Sequence, residues 1–215
     1  MSEHRLNIPE PGVRAVAHDM AYRIAREKLA AVTDVEAQCR QSGAAFDSAR
    51  RVISLIHLGR DYEIAFPGGE VTLAGSGETV PVRDKILILH YFLRARGTPL
   101  SGNPITYKEL PDGLNYWPTF FKRAIEPVVN NFKDRPEKLP EAAARLAGKK
   151  TSFGDIAVTI PAFPRVPLTF VLWLGDGEFT ADGSIMFDST ISDYLPTEDI
   201  TILSEMIAWK LVRLL

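Results

Sequence analysis

The chain has 215 residues, 46% hydrophobic and 24% charged, a composition that can bury a core and lies far from that of disordered chains. Its 25 basic and 27 acidic side chains leave a formal charge of -2, so no field of one sign is available to hold a polyphosphate backbone, and nucleic acid is not expected as a partner. Cys39 is the single cysteine, which excludes an internal disulfide, a CxxC zinc site and a four-thiolate iron-sulfur cluster built from this chain.

No apolar run approaches the roughly 18 residues that cross a bilayer, so no membrane span is expected. The opening Met1-Ser2-Glu3-His4-Arg5-Leu6-Asn7 lacks the basic-then-apolar order of a secretory signal, and the expected location is the cytoplasm. Residues 1–12 read as a tail. Residues 13–215 read as one α+β domain: antiparallel strands packed against several helices, closed by a long C-terminal helix.

From Val13 to about Val32, Val16, Met20 and Ile24 recur every four positions among Arg23, Arg26, Glu27 and Lys28, which predicts an amphipathic helix buried on that stripe. Cys39 follows in a polar stretch, Asp34–Arg40, on a helix or loop. A thiolate beside Arg40 is the reactive reading there, and an incidental thiol the simpler one. Arg51–Leu58 is β-branched and apolar, Gly59-Arg60-Asp61 is turn-like, and Tyr62, Ile64 and Phe66 alternate with polar or small residues, which predicts paired strands. Glu70–Leu73 adds a third short strand after Pro67-Gly68-Gly69.

Residues 85–93 are apolar on every side, but Asp84 in the first turn, Arg94 and Arg96 in the last, and Gly97 beyond predict a central helix over Arg83–Arg96 carrying His90 and Tyr91. Three prolines and two glycines in Thr98–Gly113 surround a brief extended Ile105-Thr106-Tyr107. Helices resume over Tyr116–Phe132, kinked or split at Pro127, and over Pro136–Leu146. A hairpin of Ile156–Ile160 and Leu168–Leu174, joined through Pro161-Ala162-Phe163-Pro164, precedes a short strand Ser184–Phe187. In the final helix Thr197 reads as a hydroxyl N-cap, Glu198 and Asp199 as first-turn acids, and Ile200, Leu203, Ile207, Leu211 and Leu214 as the buried stripe.

Nucleotide-binding, zinc-protease and serine-hydrolase signatures are absent. Gly175–Asp199 holds Asp176, Glu178, Asp182, Asp188, Asp193, Glu198 and Asp199 without a Lys or Arg, so Asp176, Glu178 and Asp188 are candidate ligands for Mg²⁺ or Ca²⁺. Turns and a helix terminus account for the same acids structurally. Of His4, His18, His57 and His90, none pairs with another at metal-ligand spacing. A neutral imidazole in an apolar wall is the form that ligates haem or corrinoid metal axially, and His90, set among Leu89, Tyr91, Phe92 and Leu93, is the better candidate over His57. The competing role for His90 is that of a core histidine with one hydrogen bond.

Leu87–Leu93, Gly97–Gly102, Tyr107–Gly113, Trp173–Phe179 and Phe187–Asp188 through Tyr194–Asp199 together resemble an uncharacterised domain-of-unknown-function family of anaerobic bacteria and archaea, along nearly the whole chain. Some members look fused to an iron-sulfur segment similar to that of corrinoid proteins, a segment this chain lacks. The resemblance implies an accessory protein of anaerobic metabolism that handles a corrinoid or other tetrapyrrole.

The first expectation is therefore a cofactor-binding protein, with His90 as axial ligand and Tyr91, Tyr107, Tyr116 and Trp117 as walls, acting beside a partner enzyme. The second is a non-catalytic module that docks through the aromatics of Tyr107–Phe121, and the third a Mg²⁺- or Ca²⁺-dependent enzyme using the acidic segment. Binding is favoured over catalysis, and the sequence sets no oligomeric state.

Overall fold

A computed structural model describes residues 11–176 and 178–215, with the side chains of residues 11–15 outside that description. His4 and residues 1–10 of the expected tail therefore lie outside the described residues. The fold is α+β with two antiparallel sheets, one of four strands that pair in chain order and one of five. Among the described residues no helix is long and apolar enough to cross a membrane.

The first sheet takes its strands from β1 (Ala45–Asp47), β2 (Val52–His57), β3 (Arg60–Ala65) and β4 (Val71–Leu73). Alternation decides its faces: Ile53, Leu55 and His57 point inward, while Ser54 and Ile56 face out. The β2–β3 turn is Leu58-Gly59 with φ of 50° and 74°, the two left-handed positions of a tight hairpin, one residue earlier than the glycine alone suggests. Leu58 holds that conformation because its side chain is buried and its N–H donates to Ala162 O across to the second sheet at 3.1 Å. Gly59 is required both by its φ and by space, since a Cβ there would lie 2.7 Å from the Ala147 Cβ.

The second sheet is built on β7 (Ile156–Phe163) and β8 (Val166–Trp173), flanked by β6 (Lys149–Thr151) on one side and by β9 (Asp182–Asp188) with β5 (Pro104–Thr106) on the other. The hairpin is tighter than expected. Pro161, Ala162 and Phe163 continue the strand through a register shift, and Pro164-Arg165 alone make the turn.

Helix α1 (Pro11–Ala30) corrects the sequence reading of its face. Val16, Met20 and Ile24 are exposed, and the side that is buried carries Ala25 and Leu29, with Tyr22 half-buried. Tyr22 donates to Gly69 O at 2.9 Å, and Gly69 sits against Arg26, so the residue 22–25–29 stripe fixes the helix to the β3–β4 turn. Helix α2 (Val35–Ser42) is capped by Asp34, whose carboxylate accepts from Ala37 N, and it buries Cys39.

Helix α3 (Val82–Arg94) is central, with Leu87, Ile88, Leu89, Tyr91 and Phe92 all buried. After it come a 3-10 turn at Tyr107–Glu109 and then α4 (Gly113–Phe120), a π turn at Phe121–Ile125 and α5 (Glu126–Phe132). The expected break at Pro127 is displaced upstream. Pro127 cannot donate to the carbonyl four residues back and its ring crowds that turn, and the wider π turn accommodates both defects. Helices α6 (Lys138–Ala144) and α7 (Thr197–Arg213) complete the fold. Ile200, Leu203, Ile207 and Leu211 of α7 are fully buried, each contributing about 2 kcal/mol by burial. The expected Thr197 cap is replaced: Pro196 holds the N-cap position and the Thr197 hydroxyl donates to Pro111 O at 2.9 Å.

Candidate functional site

Arg83, His90 and Arg94 stand seven and four residues apart on α3, which places them on one face of the helix. Opposite that face lie the first turns of α7 and the loop into α4. Between these elements is a cavity of about 750 Å³, within the range that small-molecule sites occupy. His18 of α1, Arg83 and Arg94 form one wall. Tyr107, Pro111, Asp112, Tyr116 and Arg123 form the second, and Leu195, Pro196, Thr197, Glu198, Thr201, Ile202 and Glu205 the third.

Tyr107 is a buried wall. Its ring stacks on Phe120 at 3.7 Å, and its hydroxyl lies 2.8 Å from Thr201 Oγ1. Thr201 already donates to Thr197 O, so the phenol is the donor of that pair. Burial raises the Tyr107 phenol above its ordinary value, which keeps it a neutral donor. Gly113 makes this packing possible, because any Cβ there would collide with the Tyr107 carbonyl oxygen. Arg123, set in the π turn, pairs with Glu205 at 2.6 Å and donates to the Tyr116 hydroxyl at 3.3 Å. Arg94 donates to Ser192 O at 3.2 Å.

His90 lies between Arg83 and Arg94 on the α3 face, its side chain 34% exposed, although its ring is not itself part of the cavity lining. Its Nδ1–H donates to Asp199 Oδ2 at 2.7 Å, and Asp199 is almost buried in the first turn of α7. A carboxylate accepts only, so the pair fixes the proton on Nδ1 and, in the neutral ring, leaves the lone pair on Nε2. His57 Nε2 and Arg165 Nε are the buried side-chain atoms without partners among the described residues, and the partly exposed His90 ring does not add to them.

The other sequence candidates separate. Tyr91 is a core residue: fully buried, stacked on Phe163 at 4.2 Å, its hydroxyl donating to Ser42 O and accepting from Arg165 N. Trp117 is half-buried against Phe120 and Phe121, with the Lys108 ammonium 4.4 Å over its ring, and it does not line the cavity. The aromatics expected to form a docking surface are mostly packed inward, which leaves Leu114 and Tyr116 as the exposed large side chains of that region. Cys39 is 4% exposed, and burial, with Glu36 nearby, pushes its thiol up to about 11, which overturns the thiolate reading.

The acidic segment does not converge either. Asp176 accepts from Glu178 N and Phe179 N in its own turn, with Gly177 outside the described residues. Asp188 stands at the far end of β9, where it accepts from Ser101, Gly102 and Thr190; against the desolvation of partial burial these bonds pull its carboxyl down to about 2. About 20 Å of strand separates Asp182, beside the first turn, from Asp188. Among the described residues no group of three or more His, Cys, Asp or Glu side chains could hold a metal ion.

Arg83, Arg94 and Arg123 were not singled out by the sequence reading. For the α3 pair the signal is the spacing of seven and four residues around His90; Asp199 reads locally as a first-turn acid of α7, and nothing local points to its pairing with His90. The family model described as a domain of unknown function, DUF3786, matches residues 34–210, and the chain belongs to that family. No curated protein and no solved structure matches the chain.

Proposed function

We propose that this member of the family is a cofactor-binding accessory protein, and that a tetrapyrrole, corrinoid or haem bound at the cavity between α3, α4 and α7 would reach His90 beside it on the α3 face and take that ring as its axial ligand. The observation that carries the reading is the His90–Asp199 pair at 2.7 Å beside the cavity. Ligating histidines commonly donate their second ring nitrogen to a carboxylate, which fixes the tautomer, orients the ring and raises the basicity of the free nitrogen. The walls offer a guest both kinds of contact: Leu195, Ile202 and the Tyr107 ring are apolar, and Arg83, Arg94 and Arg123 are cations that could receive acidic substituents.

In this role the bound metal supplies the redox or ligand-exchange chemistry, and the chain holds and orients it. His90 Nε2 is the donor, and Asp199 keeps the proton on Nδ1. Titration of the purified protein with haemin and with hydroxocobalamin, followed by absorption spectroscopy, tests the reading. A saturable band shift that His90→Ala abolishes and Asp199→Asn weakens is expected. A spectrum unmoved by either compound, or a shift identical in His90→Ala, refutes ligation by His90.

A further inference from the structure

We infer that the cavity selects a ligand carrying two carboxylates on an apolar body, one received by Arg83 and the other by Arg94. The inference rests on the cavity being a binding site, and adds the chemical class of what it binds.

The cavity lining carries three guanidiniums, Arg83, Arg94 and Arg123, and three carboxylates, Asp112, Glu198 and Glu205. Arg123 and Glu205 neutralise one another at 2.6 Å. On α3 the charged pairs among the described residues are Lys85 with Glu70, Asp84 with Lys210 and His90 with Asp199, and Arg83 has none there. Among the described residues Arg94 makes a single bond, from Nε to the Ser192 carbonyl, and its two terminal nitrogens donate to none of them. Both cations thus stand on one wall with unused planar donors, the geometry that receives a carboxylate through two parallel bonds.

Their spacing sets the ligand's shape. Arg83 and Arg94 are eleven residues apart, and at about 1.5 Å of rise per residue their Cα atoms lie about 16 Å apart. One small acid cannot bridge them; two acid groups on a body of several ångströms can, once the two side chains lean inward. Leu195, Ile202, Pro111 and the Tyr107 ring supply the apolar surface between. The opposite rim argues against phosphates: Asp112 and Glu198, both exposed and without an ion pair among the described residues, balance the two free guanidiniums. A polyphosphate would meet no net positive field, whereas two monoanions each meet one guanidinium at the far wall.

The test uses two acid–ester pairs: haemin with its dimethyl ester, and naphthalene-2,6-dicarboxylate with its dimethyl ester, the second pair having no metal to ligate. Affinities are measured by absorption and fluorescence titration for the unaltered chain and for Arg83→Gln, Arg94→Gln, the double variant and His90→Ala. The expected result is an acid preference of about ten-fold, reduced in each single arginine variant and abolished in the double variant, with ester binding unchanged. High salt is expected to erode the same preference, because both guanidiniums are exposed.

Equal affinity for acid and ester, or a preference untouched in the double variant, overturns the inference. An acid preference without any His90-dependent band upholds it and removes tetrapyrrole ligation. A His90-dependent band with equal acid and ester affinities does the reverse, and failure of both pairs to bind overturns both. Circular dichroism of the variants establishes that each is folded, which exposed arginine positions favour.

Discussion

Acid should loosen the junction of the two sheets through His57. The ring is 1% exposed, stacked on Phe163 at 4.4 Å, and its Nδ1–H donates to the Ala162 carbonyl at 2.8 Å, the same oxygen that receives the Leu58 N–H. Nε2 has no partner among the described residues, so a second proton would place a buried charge with nothing to receive it. Burial, reinforced by the Lys210 charge and opposed by the Ala162 bond, holds the imidazole down at about 4 against an ordinary 6.5. Above pH 6.5 the ring is neutral in both states and adds nothing to the pH dependence. As pH falls from 6.5 to 4, the unfolded chain takes up a proton that the folded chain refuses, and stability drops by about 3 kcal/mol in all, the loss being complete below 4.

His57→Leu keeps similar bulk and has no proton to gain. At pH 7.5 it should lie within about 1 kcal/mol of the parent, since one lost hydrogen bond is offset by removal of the unpaired Nε2. Urea denaturation of both proteins at steps between pH 7.5 and 4 gives the two stability curves, and their difference cancels the titration of the carboxylates. The parent should fall by about 3 kcal/mol more than the variant. Curves that stay parallel to within about 0.5 kcal/mol refute the assignment, because the neutral, unpartnered imidazole would then not be what acid attacks.

Tyr91→Phe strands two buried backbone groups, the Ser42 carbonyl and the Arg165 N–H, and should cost about 2 kcal/mol of stability in the same urea assay while leaving the spectrum of any bound tetrapyrrole unaltered. A shifted spectrum would return Tyr91 to the binding wall. Cys39 should resist iodoacetamide at pH 8 in the folded protein and react fully in urea, as mass spectrometry would read, because its thiol is both buried and pushed up to about 11.

How far the sequence is legible depends on the range of the contacts. The β2–β3 and β7–β8 hairpins and the α7 stripe rest on local alternation and local turns, and the observed elements follow the expected ones to within a few residues. Helix α1 shows where local pattern fails. Its residues 16–20–24 and 22–25–29 both form helical stripes, and hydropathy alone prefers the first; the second is chosen because Ala25 lets α1 lie close to its neighbour and because Tyr22 finds the Gly69 carbonyl. The small elements β1 and β6 owe their existence to the neighbouring strand they pair with, not to their own residues.

The acidic run from Gly175 to Asp199 carries the same lesson into the site. Seven carboxylates within 25 residues invite a cation when read as a string. The chain lays that string along a turn, a strand, a 3-10 turn and a helix start, so each acid meets a different neighbour: Asp176 its own turn, Asp188 the Ser101 loop, Asp193 Arg96 and Thr98, Asp199 His90. Proximity in sequence therefore becomes distance in space, and the one acid that matters most to the candidate site acts on a residue 109 positions away. That pairing gives His90 its meaning. Without Asp199 the imidazole is one more side chain on an apolar helix; with it, the proton is held on Nδ1 and the neutral ring keeps its lone pair on Nε2, on the helix face that Arg83 and Arg94 share.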